Sequence, residues 1–301
     1  MRTPAGVRSA VRIGSLALLW GSGFLWIKIA IQGLSPTQVT LARLVLGAGF
    51  LAAILHVKGW RLPRGKVLWI HLAVAALFAN SAPYLLFAIG EQTVSSSVAG
   101  VINATTPLWT LVIAFATRQD TSVTTARVVG LIAGFIGALL IFSPWEGGGA
   151  LTNWGGIACL AAATAYAISY VYMARFLSSK EVQPIVLSAS QLIAASGLTF
   201  LAMPFGGLEP IAPRTSVIVA VSVLGILGTG VAYVLNYRII RDDGPVLAST
   251  VTYLLPVVAI ALGWIALGEE ITGTSLAGTV IVLLGVAITR MAPQRTHKTQ
   301  K

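Results

Sequence analysis

Residues 94–116 read V-S-S-S-V-A-G-V-I-N-A-T-T-P-L-W-T-L-V-I-A-F-A, an uncharged run long enough to cross a bilayer and interrupted at its middle by Pro107. Asn103, Thr105 and Thr106 soften the same point. A related segment returns 149 residues later, where Leu247–Leu267 carries Ala248 and Pro256 in the register of Ala99 and Pro107, with Tyr253 between them. Interrupted backbone at membrane depth is tolerated only inside protein or beside a wet cavity. Two such segments at matching positions of two halves therefore point to a transporter's substrate site.

Outward from this pair the chain is apolar throughout. Of its 301 residues 56% are hydrophobic and 10% charged, against roughly a quarter charged in soluble domains. The apolar residues fall in about ten blocks of roughly 17–25 residues, the length that spans about 30 Å of hydrocarbon. The first lies near Ile13–Ile31 and the last near Gly273–Thr289. Three arginines precede the first block, as in a signal peptide, but nine further spans follow it, so a retained helix is expected. Between the blocks only short loops remain, with no room for a soluble catalytic domain.

The formal charge of +11 is spent on orientation rather than on nucleic acid. Seventeen Lys and Arg residues, among them Arg8, Arg12, Lys58, Arg61, Arg175 and Arg241, fall before span 1, in loops after even-numbered spans, or after span 10. Arg214 alone lies on the other side, and Lys28 and Arg43 lie inside spans. The positive-inside rule then puts both termini in the cytoplasm of a multi-pass cell-membrane protein.

The same asymmetry suggests how the halves are related. Basic loops of the first half match base-poor loops of the second. That is expected when an odd number of spans is duplicated and the copy inserts upside down. Residue correspondences run in one register. Pro36 and Arg43 match Pro184 and Gln191 at an offset of 148, as Gly130 and Gly137 match Gly278 and Gly285. Tyr84 and Pro107 match Tyr233 and Pro256 at 149. The expected fold is an all-α integral membrane protein of ten transmembrane helices. It comprises a first five-helix repeat (1–146), a linker (147–153) and a second, inverted repeat with a short basic tail (154–301).

Trp20-Gly21-Ser22, Lys28, Pro36 with Arg43, and Pro107 resemble the first half of the EamA branch of the drug/metabolite transporter superfamily. Pro184, Ala248 with Pro256, Gly268-Glu269, Gly278 and Gly285 resemble its second half. The resemblance runs from Ile13 to Thr289. It implies a central cavity lined by spans 1–4 and 6–9, peripheral spans 5 and 10, and export of small metabolites or drugs. The chain departs from the family pattern at Gln119-Asp120, where Gly-Glu is usual, and at Gln191, which replaces an arginine.

Polar groups inside spans should face the bundle or a wet cavity. Asn80 with Tyr84, and Tyr166 with Tyr170, are four residues apart and share a helix face. Trp20, Asn103, Gln191, Tyr233 and Tyr253 complete the candidate substrate-binding set, with Arg43 as the charge near it. Each is open to two readings, a substrate contact or an interhelical hydrogen bond worth about 0.6 kcal/mol. Pro107 and Pro256 each remove a ladder donor and are expected to kink their helices. Gly130-x-x-x-Gly134 is a small-residue packing signal, and such glycine-containing spans offer a face for a homodimer.

Other chemistries lack residues. No Asp or Glu lies mid-span, His56 and His71 sit near span ends and His297 in the tail. Cys159 is the single cysteine, and no phosphate-binding glycine loop appears. Neither a metal nor a cofactor is expected. The function expected is secondary transport of amino acids or amphipathic drug-like solutes by alternating access, as uncoupled facilitated flux. A membrane enzyme acting on lipid-linked substrates and a non-transporting scaffold are the competing classes.

Overall fold

The computed structural model describes residues 5–90, 93, 96–119, 124–143, 145, 154–178, 181–212, 214–267 and 272–291. The expected linker 147–153, the basic tail, Gly268-Glu269, Asp120 and the Lys28 side chain lie outside the described residues.

Among the described residues every regular element is helical, and ten helices are long and apolar enough to cross a membrane. They are span 1 (Val7–Ile27), span 2 (Pro36–Val57), span 3 (Lys66–Phe87), span 4 (Ala99–Ala116) and span 5 (Thr125–Phe142). The second half supplies span 6 (Trp154–Phe176), span 7 (Pro184–Leu201), span 8 (Thr215–Asp243), span 9 (Pro245–Leu262) and span 10 (Gly273–Met291).

Sequence fixes several of their ends. Span 2 starts with a capping box: Gln38 N–H donates to Ser35 Oγ at 3.3 Å, and Ser35 N–H donates to Gln38 Oε1 at 2.9 Å. Pro36 takes the first helical position, where its missing N–H costs nothing. Thr124 caps span 5 by accepting from Arg127 N–H at 3.3 Å.

Spans 5 and 10 pack on one another at the edge of the bundle, and four glycines set their direction. A Cβ on Gly130 would lie 2.6 Å from the Gly285 carbonyl, and one on Gly137 would lie 2.7 Å from the Gly278 carbonyl. Numbers rise along one helix as they fall along the other, so the two run antiparallel. Since span 10 is the repeat mate of span 5, the halves are inverted. The same exchange maps the contact of spans 1 and 9 onto that of spans 6 and 4, and the contact of spans 3 and 6 onto that of spans 8 and 1. These glycines are used within one chain, each facing the backbone of the other span: Gly130 meets Gly285 and Gly137 meets Gly278. The Gly130-x-x-x-Gly134 face is thus packed inside the chain, against span 10 and the Tyr253 ring.

Spans 3 and 8 each contain a turn of wider π geometry, at Leu77–Ser81 and Ile226–Val231. The two turns are 149 residues apart at their starts, the repeat offset. A π turn leaves backbone groups unpaired and re-aims the side chains it carries, here Asn80 and Thr229.

Spans 4 and 9 are both broken, as their sequences imply, but not in the same way. Span 4 breaks at Ala104–Thr105, and Pro107 sits in the first turn of the helix that follows. Span 9 breaks at Thr250, six residues before Pro256, which lies inside the continuous helix Val251–Leu267. The matched prolines thus do not mark matched breaks. Pro107 begins a helix, whereas Pro256 withholds one ladder donor within a helix.

Candidate functional site

The two π turns position the centre of the molecule. Span 7 faces the turn of span 3, where Gln191 Nε2 donates to Asn80 Oδ1 at 2.9 Å. Asn80 Nδ2 meets Tyr233 OH at 2.6 Å, and Tyr233 donates to the Ala79 carbonyl at 2.9 Å. Tyr237 donates to Gln191 Oε1. All four side chains are buried, so the network matches donor to acceptor away from water.

The repeat mate of this arrangement is charged. Span 2 faces the turn of span 8, where Arg43 Nε donates to Thr229 Oγ1 at 3.0 Å and the Thr229 hydroxyl donates to the Leu224 carbonyl at 2.9 Å. The guanidinium carbon lies 4.9 Å from the centroid of the Tyr84 ring, a cation–π distance.

Aromatic rings surround the two clamps. Tyr84 meets Tyr166 edge to face at 6.5 Å, Phe87 stacks on Tyr166 at 6.1 Å, and Trp20 meets Tyr233 edge to face at 6.1 Å. Trp20, Arg43, Tyr84 and Tyr166 keep partial exposure, whereas Asn80, Tyr170, Gln191 and Tyr233 are buried. The half-exposed group leaves aromatic faces accessible beside Arg43, and of the buried group Asn80, Gln191 and Tyr233 are engaged in their own hydrogen bonds.

Two candidates stand apart. Tyr253 points to the periphery: it donates to the Leu131 carbonyl of span 5 at 2.9 Å, and its ring covers Gly134. Half-buried Asn103 has a long contact of 3.5 Å with Thr106 of its own span. Sequence reasoning missed Thr229 and Tyr237. Thr229 was signalled by its register with Asn80, and Tyr237 by its position one helical turn beyond Tyr233. Among the described residues no three His, Cys, Asp or Glu side chains gather. The chemistry here is that of hydrogen bonds, one guanidinium and aromatic faces.

The repeat also relates two seams at opposite faces of the bundle. Away from the termini, Gln38 Nε2 donates to the carbonyls of Gly207 at 3.1 Å and Glu209 at 2.7 Å. Ser35 Oγ donates to Gly206 O and Ala212 N–H to Gly33 O, both at 2.9 Å. Residues 183 and 186 are the repeat mates of Ser35 and Gln38. At that seam, on the terminal face, Gln183 and Val186 border an open recess of about 430 Å³ with Gly59, Trp60 and Pro63. Nearby, His71 Nδ1 and Tyr172 OH are 2.6 Å apart, and the imidazole stacks on Phe176. Arg12 pairs with Asp242 across spans 1 and 8 on the same face.

Comparison with known proteins agrees with this architecture. A model of the EamA-like transporter family matches residues 13–143 and again 153–291. An uncharacterised transporter of Archaeoglobus fulgidus is 28% identical over 272 residues, covering 89% of this chain and 94% of that protein. The uncharacterised inner membrane transporter YedA of Escherichia coli is 28% identical over 281 residues, covering 91% and 88%. The uncharacterised transporter YdfC of Bacillus subtilis is 27% identical over 281 residues, covering 93% and 90%. A solved crystal structure superposes with a TM-score of 0.79 over 94% of this chain and 96% of its own at 20% identity, a likeness of fold.

Proposed function

Because this chain belongs to the EamA-like transporter family, we propose that it carries small organic solutes, amino acids or amphipathic drug-like molecules, by alternating access between its inverted halves. The solute sits against Trp20, Tyr84 and Tyr166, beside Arg43, with Asn103 on span 4 bordering its path. Apolar walls with few polar contacts suit an amphipathic solute. Both termini lie in the cytoplasm, in keeping with the 17:1 basic asymmetry. The membrane is the cell's inner membrane, as the name of the YedA relative states for that protein.

The observation that carries this reading is the difference between the two repeat-related seams. One is bridged by Ser35, Gln38 and the 206–212 loop, and its mate is an open recess. Such a difference between repeat-related seams supports a rocking of one half against the other. The test is counterflow in proteoliposomes with a panel of amino acids and amphipathic drugs. Exchange of unmodified solute supports the proposal. Chemical conversion of a solute, or no protein-dependent movement of any, overturns it.

A further inference from the structure

Resting on that transport reading, we propose that Arg43 is a carboxylate-recognition point, and that the preferred solutes are small monocarboxylates with an apolar or aromatic body. The two halves differ at one position. Gln191, the repeat mate of Arg43, has both polar atoms engaged: its nitrogen by Asn80 and its oxygen by Tyr237. That side chain is buried and held at both ends by its own protein.

Arg43 is engaged only in part. Its Nε is held by Thr229, the mate of Asn80, but the position matching Tyr237 is Ala88, which carries no hydroxyl. Among the described residues neither Nη group meets an acceptor and Arg43 forms no salt bridge. A guanidinium within a membrane span is costly without an acceptor. The end left open presents two parallel N–H groups, the geometry that takes a carboxylate bidentately. Thr229 fixes the inner edge of the guanidinium, the Tyr84 ring covers one face, and Tyr166 continues the aromatic wall. One cation beside aromatic faces fits one carboxylate joined to an apolar body.

The test uses the purified full-length protein in detergent with phenylalanine, 3-phenylpropionate, phenylalaninamide and phenethylamine as probes. Binding is measured by calorimetry, and exchange of the same four in proteoliposomes, corrected for protein-free vesicles. The two carboxylates should bind at least tenfold more tightly than the two solutes without one. R43Q, which gives this half the residue of the other, should erase that gap by weakening the two carboxylates at least tenfold more than the two solutes without one. R43K should keep part of it. Equal affinity of all four for the natural protein overturns this inference alone, and that comparison needs no variant to fold. Equal weakening of all four by R43Q also overturns it, since that marks a structural role. Failure of all four to bind or move overturns the transport reading with it.

Discussion

Asn80 and Thr229 occupy the same step of two wide helical turns 149 residues apart, and each receives a repeat-related side chain across the bundle. Gln191 reaches Asn80 at 2.9 Å, and Arg43 reaches Thr229 at 3.0 Å. One geometry thus holds spans 3 and 7 together in neutral form and spans 2 and 8 in charged form. The neutral clamp is buried, with Gln191 held at both its nitrogen and its oxygen, and we propose that it fixes the turn rather than meets solute.

Gln191→Leu should therefore act on stability before it acts on affinity. The change leaves Asn80 Oδ1 and the Tyr237 hydroxyl without their buried partner, a loss of about 1–3 kcal/mol. The double variant with Asn80→Leu should cost less than the sum of the two single changes, because they break one network. Denaturant unfolding in mixed micelles checks both points. Strictly additive losses, or a rise in half-saturation at unchanged stability, would assign Gln191 to the solute instead.

Spans 5 and 10 give a second prediction with its own control. Gly137→Val or Gly285→Val drives a side chain into a facing carbonyl that stands 2.6–2.7 Å from the new Cβ. Overpacking of this kind costs about 1–3 kcal/mol. Gly49→Ala, where nothing lies within 4 Å of the new Cβ, should be neutral. The unfolding midpoints of the three variants, measured in one detergent, decide it. Equal midpoints would remove the glycine seam from the account of how the halves are joined.

The spans, their number and their inversion were legible in the sequence, because membrane crossing writes length and hydropathy directly into the chain. The repeat register was legible too, down to Arg43 matching Gln191. The π turns were not, since one inserted residue leaves an apolar helix with the same composition. Tyr253 shows the consequence for the site: its depth suited the cavity, but its azimuth turned it to Leu131 on span 5. Depth follows from residue number, whereas azimuth depends on how each helix is broken and packed. For the same reason Pro256 misled as a marker, with the break of span 9 lying at Thr250.

Gln38 links the two faces of the proposed cycle. Its amide holds two carbonyls of the 206–212 loop and closes the span 2 capping box. Each bond contributes about 1 kcal/mol net. Gln38→Ala should therefore shift the balance towards a state open at that face by roughly tenfold or more. Spin labels at Gln32→Cys and Leu208→Cys, with Cys159 replaced, report the separation across the seam. A longer distance population should grow in the variant. An unchanged distribution would mean that the loop is held by other contacts and that Gln38 is only a cap.

The last prediction concerns the driving force. The described acids, Glu181, Glu209, Asp242 and Asp243, all stand in loops or at the end of a span, and the sequence places none of the other five mid-span. The wall beside Arg43 offers phenol and indole groups, and an arginine stays protonated at any physiological pH. Exchange of a proton for solute needs a group whose protonation differs between the two open states, and carboxylates serve this role in many pumps and transporters. Transport is therefore expected to follow the solute gradient without obligatory proton coupling. In proteoliposomes with equal solute on both sides, an imposed pH gradient should drive no net accumulation, while a solute gradient alone should drive flux at constant pH. Uphill movement under the pH gradient, abolished by a protonophore, would require a proton carrier at the site. His71 would be the first to substitute, because its hydrogen bond to Tyr172 lies on the terminal face beside the open seam.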